Sequence, residues 1–170
     1  KVNLLNLFSS AQGSGKRWFG DYFFQTRERS YTFNFPNLVP GSSARLRSEF
    51  AGRAATNTTV QFVAGGSQFN QNVFGVPVSN NEADFASNAL IRGTFQPTGD
   101  NVEVVVRYLQ AAITSEGWLD YIELNARRRL LMTGAFMEFR DLQTVAQPAS
   151  TFRIGRVTGG ALFLWDITDR

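Results

Sequence analysis

Short runs in which apolar and polar residues alternate, each closed by glycine, proline or asparagine, recur along this chain and constrain its fold more than any other feature. Ala44, Leu46, Ser48 and Phe50 alternate with Arg45, Arg47, Glu49 and Ala51, the pattern of a strand with one packed and one charged face. Tyr31, Phe33 and Phe35 alternate with Thr32 and Asn34 until Pro36 ends the run, and Thr58–Val63 is a β-branched run closed by Gly65-Gly66. Leu90–Phe95 and Val102–Leu109 flank the turn residues Gln96-Pro97-Thr98-Gly99-Asp100-Asn101. Val102, Val104, Val106 and Tyr108 share one side of the second run, and its valine content suits the centre of a sheet.

Further pieces complete the pattern. Val2–Phe8 reads as a short first strand, and the Asn- and Gln-rich 67–89 stretch reads as loop and edge strand. Ala135–Arg140, Thr151–Ile154 and Ala161–Ile167 read as short strands between glycine turns. About ten strands at the 8–12-residue spacing of a sandwich, with no long amphipathic helix, indicate an all-β chain: a two-sheet antiparallel β-sandwich, jelly-roll-like. No internal repeat or boundary divides it, so 1–170 reads as one domain, and its abrupt ends read as cuts from a larger multidomain protein.

One stretch resists this pattern. In a regular strand over 118–132, Leu119, Tyr121 and Glu123 share one side and Trp118, Asp120, Ile122 and Leu124 the other, which mixes apolar and charged groups on both. As a helix, Trp118, Ile122, Ala126 and Leu130 form a thin apolar stripe beside three arginines. The β context favours a long strand over Trp118–Met132, bent near Asn125, with the helix as the alternative.

The residue inventory removes most chemistry. There is no histidine and no cysteine, so Ser–His or Cys–His nucleophilic catalysis and Cys/His zinc sites have no residues to use within these 170 positions. Seventeen basic residues, all but Lys1 and Lys16 arginine, stand against 14 acidic ones. A net charge of +3 is far from the basic stripe of a nucleic-acid binder. No apolar run reaches the roughly 20 residues of a spanning helix. Neither nucleic-acid binding nor direct membrane insertion is therefore expected, and no cofactor, metal or catalytic residue is assigned.

Weaker motifs have plain explanations. Gly13-Ser14-Gly15-Lys16 lacks the glycine a phosphate loop needs at Ser10 and the hydroxyl it needs at Arg17, and reads as a surface turn. Asn57-Thr58-Thr59 matches a glycosylation acceptor, and Glu82 with Asp84 offers two carboxylates, too few for a cation site. The aromatic window Trp18–Phe24 reads as core packing at a sandwich edge, with a stacking platform as the alternative.

Three segments in order carry a family likeness. Arg17-Trp18-Phe19-Gly20-Asp21-Tyr22-Phe23, Leu119-Asp120-Tyr121-Ile122-Glu123-Leu124-Asn125-Ala126-Arg127-Arg128-Arg129-Leu130 and Leu164-Trp165-Asp166-Ile167-Thr168-Asp169 resemble the type IX secretion system sortase, in the region ahead of its gingipain-like peptidase domain. The resemblance implies a noncatalytic β domain of a cysteine endopeptidase and transpeptidase on the outer-membrane surface of a Gram-negative bacterium. It implies as partners the peptidase domain of the same chain, secreted cargo proteins and an anionic polysaccharide. That family's catalytic cysteine and histidine match no position here, and Asp21 stands where the longer glutamate is expected.

Candidate partner-binding residues follow from the central segment: Trp118 and Tyr121 as rings, Arg127 and Arg129 as an anion clamp, since guanidinium groups pair with carboxylates and phosphates. The plainer reading of the arginines is a solvated strand end paired with Glu123, Glu138 or Asp141. A carbohydrate-binding module, with Trp18, Trp118, Trp165 and Tyr121 as stacking rings, is the alternative function. A two-carboxylate glycosidase is a third, weakened because Asp120 and Glu123 oppose one another in an ideal strand.

Overall fold

The computed structural model describes residues 2–3, 17–155, 159 and 161–166. Ten strands run in order: β1 (Val2–Asn3), β2 (Trp18–Phe19), β3 (Tyr22–Phe23), β4 (Glu28–Asn34), β5 (Ala44–Arg53), β6 (Thr58–Ala64), β7 (Ser67–Val73), β8 (Ser87–Phe95), β9 (Asn101–Leu109) and β10 (Glu116–Asn125). One four-stranded sheet has the order β3-β10-β5-β8, the other β4-β9-β6-β7, and every pairing within them is antiparallel. Successive strands mostly alternate between the sheets, and the last strand, β10, lies between the first two of its own sheet, β3 and β5. This is jelly-roll wiring. β1 and β2 pair as a separate two-stranded ribbon, and Phe19 of β2 packs onto Trp118 of β10.

Alternation explains the core. Leu46 and Phe50 of β5, Ala89, Ile91 and Phe95 of β8, and Leu119 of β10 turn inward, where they meet Val60 and Phe62 of β6 and Val102, Val104 and Val106 of β9. Each fully buried aliphatic or phenyl group contributes about 1.5–3 kcal/mol. Tyr108 is buried with them, its hydroxyl accepting a hydrogen bond from Thr58 Oγ1 at 3.1 Å, and burial pushes its pKa up. Thr58, central in the glycosylation-like motif, is thus committed to the core, and Asn57 Oδ1 accepts the backbone N–H of Gly75. Gly65 and Gly66 both have positive φ, as the two-residue turn between β6 and β7 requires.

The resistant stretch is a strand with a bulge. Leu119 pairs with Phe50 and Tyr121 with Glu49, leaving Asp120 as an extra residue. Its insertion shifts the alternation by one, so Tyr121, Glu123 and Asn125 face outward while Ile122 and Leu124 pack on the core. The apparent mixing of faces in the sequence is this one-residue offset. The carbonyl of Tyr121, at the disrupted point of the ladder, accepts the hydroxyl of buried Ser48. Because Asp120 is surplus to the pairing, its deletion is expected to straighten β10 and cost no more than about 1 kcal/mol, roughly the worth of a surface ion pair. Deleting Val104 from unbulged β9 should instead reverse its faces and abolish folding, and urea unfolding midpoints of the two variants check the contrast.

Pairing with β5 ends at Asn125, where a bend was expected, and the chain changes partners. Val39 N–H donates to the Arg127 carbonyl and Arg129 N–H to the Asn37 carbonyl. The expected strand to Met132 therefore splits into β10 and a short extension. The pieces at 135–140, 151–154 and 161–166 form no strands, against expectation; among the described residues beyond Arg128 the regular features are a 3-10 turn at Leu142–Thr144 and a single parallel bridge between Leu131 and Gly155. Alternation marks a side chain's preference but supplies no backbone partner, and Phe136 and Phe163 stay largely exposed. Most of Val2–Phe8, Gly13–Lys16 and Ile167 lie outside the described residues.

Candidate functional site

The outward face of the β3-β10-β5-β8 sheet carries most of the candidate residues. Its rungs follow from the register: Tyr121, Glu49 and Leu90 share one, Glu123, Arg47 and Arg92 the next, and Asn125, Arg45 and Thr94 the third. Beyond β10 the alternation of exposure continues, with Arg127 and Arg129 exposed and Ala126 and Arg128 half-buried. Tyr121, Arg127 and Arg129 therefore lie along one outward line, the two arginines about 6.6–6.8 Å apart along an extended chain.

Trp118 is on the same face of the sheet but is not open to a partner. It is 5% exposed, covered by Tyr22 at 5.5 Å and Phe85 at 5.9 Å between ring centroids, and packed with Phe19, Ala51 and Ala86. The aromatic window splits in the same way: Phe19 and Phe23 are buried, while Trp18 and Tyr22 remain partly exposed. The Tyr22 hydroxyl donates to the Glu116 carboxylate, and burial together with that hydrogen bond pushes its pKa up to about 12.

Electrostatics divide the face into a neutralised half and a basic half. Arg17 bridges Glu49 and Asp120; burial works against its charge, but the bonds to both carboxylates outweigh this and hold its pKa above the ordinary value. Arg127 is tied to Asp141 and to Gln143 Oε1, the latter at 2.7 Å. The Arg127 hydrogen bond, helped by the backbone N–H of Gln143, holds the Asp141 carboxyl below the usual range. This is one of the pairings expected for the arginine run; among the described residues Arg128 and Arg129 form no ion pair, and of these two Arg129 is the exposed one.

Arg45, Arg47 and Arg92 are exposed and form no ion pair with a carboxylate among the described residues. Arg47 stands directly opposite Arg92, with Cα atoms about 4.5–5.5 Å apart as in any antiparallel pair, a placement that is destabilising for like charges. Arg47 also sits 5.8 Å from the centroid of the Tyr121 ring. Sequence reading treats Arg45 and Arg47 as a solvated face and gives Arg92 no role, because their meeting depends on which strand lies beside β5. The bulge also puts Asp120 and Glu123 on the outward face together, contrary to the ideal-strand expectation, but Asp120 is held by Arg17 and Glu123 accepts from Asn125 Nδ2 at 2.8 Å. Among the described residues no group of three or more acidic side chains gathers as a metal site.

No protein-family model and no curated protein matches the chain. Among solved structures it is similar to the dimeric latent PorU from Porphyromonas gingivalis, with a TM-score of 0.64 and 18% identity. The fold is shared with part of PorU. The likeness covers 81% of this chain and 13% of the PorU chain, so the chain spans about an eighth of that protein. Lower similarity is found to a carbohydrate-binding module, CBM36, in complex with calcium and xylotriose, with a TM-score of 0.37 and 18% identity over 73% of this chain and 98% of the module. A CBM36-1 domain of a multidomain xylanase from the hindgut metagenome of Trinervitermes trinervoides gives 0.42 and 12% identity over 66% and 89%.

Proposed function

We propose that this chain is a noncatalytic domain of a type IX secretion sortase on the outer-membrane surface, which docks the peptidase domain of its own parent protein or presents cargo to it. The observation that carries the reading is the shared fold with part of a much longer protein, PorU. The three ordered sequence segments support it independently of the fold. Arg45, Arg47, Arg92 and Arg129 supply the contact: guanidinium groups without a carboxylate among the described residues offer paired donors to an acidic partner surface, and a complementary surface removes the repulsion between Arg47 and Arg92.

The test is charge reversal in the intact parent protein. Arg45→Glu, Arg47→Glu and Arg92→Glu together are expected to lower cargo processing in cells at least about tenfold, a modest demand on an interface that loses several charge contacts. Cleavage of a short unstructured peptide by the purified protein should persist, because the domain contributes no reacting group. Unchanged cargo processing in the triple variant would count against docking through this face. Loss of both activities would point instead to a folding defect, which the unfolding temperature of the purified variant reveals.

A further inference from the structure

The seam between the two sheets is open on one side, for a reason visible in the strand lengths. β3 has two residues and β10 ten, so β3 covers β10 only at Gly117 and Trp118. Two backbone bonds end that edge: Gly20 N–H to the Leu119 carbonyl at 2.6 Å and Leu119 N–H to the Asp21 carbonyl at 2.9 Å. Among the described residues no strand lies beside β10 on this side from the bulge at Asp120 onward, and across the gap is β4, the edge strand of the other sheet. A cleft of about 270 Å³ occupies the opening.

Its lining has an apolar part and a polar part. Phe33 and Ile122, half-buried against the core, supply the first; Asp21, Asp120, Tyr31 and Tyr121 supply the second. Each carboxylate is already half-engaged. Asp21 Oδ2 accepts the Tyr31 hydroxyl at 2.6 Å, and Asp120 Oδ2 accepts from Arg17 at 2.9 Å. Among the described residues neither Oδ1 atom accepts a hydrogen bond, so two carboxylates with acceptor capacity to spare line the same small cleft as Tyr31 and Tyr121.

That chemistry narrows the occupant. Two carboxylates repel an anion, and the neighbouring Arg17 guanidinium disfavours a second cation at Asp120. A neutral group carrying several hydroxyl donors and an apolar C–H face meets both the free oxygens and the rings. The volume lies just under the roughly 300–1,000 Å³ of sites for drug-sized ligands, so it suits one ring rather than a whole oligosaccharide. We infer that this cleft binds one pyranose ring of a neutral saccharide, with ring hydroxyls donating to Asp21 and Asp120 and a ring face resting on Tyr121. Arg47, beside the Tyr121 ring, orients it. The site is independent of any role in secretion.

The experiment is a heteronuclear NMR titration of the whole 170-residue chain with the neutral methyl glycosides of glucose, galactose, mannose, xylose and N-acetylglucosamine. Methyl glucuronide and N-acetyl-lysine methylamide serve as the anionic and cationic probes. At least one neutral glycoside is expected to move the amide signals of Gly20, Asp21, Asp120 and Tyr121, saturating with a Kd on the order of 1 mM. Tyr121→Ala should weaken binding at least about tenfold, equivalent to 1.4 kcal/mol, with the unfolding temperature retained, and Tyr121→Phe should bind like the parent. Asp21→Asn should also weaken it, and if that variant does not fold the two Tyr121 variants decide. The inference is overturned if no neutral glycoside shifts these signals up to about 100 mM, a hundred times the expected Kd. It is equally overturned if only a charged probe does so, or if Tyr121→Ala binds as tightly as the parent.

Discussion

Replacing Phe50 by alanine is expected to destabilise the domain by about 3–5 kcal/mol, a large part of the roughly 5–15 kcal/mol that holds a domain folded. Phe50 has no exposed surface and stands where the two sheets meet over β10. Its ring packs edge-on against Phe23 at 5.5 Å between centroids and tilts against Tyr108 at 5.1 Å. It also fills the space above Gly117, which has no side chain to follow the ring if it is removed. The loss therefore combines the transfer free energy of the phenyl group with a cavity that rigid neighbours cannot close. Urea unfolding of the variant should show a lowered midpoint with an unchanged slope; a loss below about 1.5 kcal/mol would mean that the site collapses around the smaller residue.

Gly117→Val is expected to be damaging for the opposite reason. A Cβ at position 117 would lie 2.4 Å from Phe50 Cζ and 3.2 Å from Tyr108 Cδ1, both in buried rings that cannot swing into solvent. Overpacking of this kind costs about 1–3 kcal/mol or more, and β10 would have to move away from β5 to relieve it. The two changes occupy the same space, so they should not add. In the double variant the valine fills part of the Phe50 cavity, and its stability should exceed the sum of the single effects by about 0.5–3 kcal/mol. Simple additivity in a double-mutant cycle would show that the ring and the glycine are not in contact.

The residues of Phe50 and Gly117 show where sequence reading reaches and where it stops. Inward placement of Phe50 follows from its alternation with Arg45, Arg47 and Glu49, and needs no knowledge of the partner strand. That position 117 must be glycine does not follow, because the ring it accommodates is 67 positions earlier in the chain (117 minus 50) and arrives only when β10 pairs with β5. The arginines divide similarly. Arg127 beside Asp141 could be anticipated from 14 positions of separation, but the Arg47 and Arg92 pair required the β5 and β8 register. Trp118 divides the other way: a tryptophan among charges reads as a contact ring, and its burial under Phe85 and Tyr22, which arrive from elsewhere in the chain, is not visible locally.

By itself, the sequence determined the class of fold, because the two-residue period of a strand is written locally in side-chain polarity and needs only a few consecutive residues to express. It also determined that cysteine–histidine chemistry has no place within these residues. Only the tertiary structure decided which arginines share a face, that Asp120 is an extra residue and not a break in the pattern, and that β3 pairs with β10 only ahead of the bulge, leaving a cleft lined by Tyr121 among the described residues. These depend on pairing between strands far apart in the chain, and the free energy that selects one pairing over another comes from the summed packing of both sheets, which no local stretch contains.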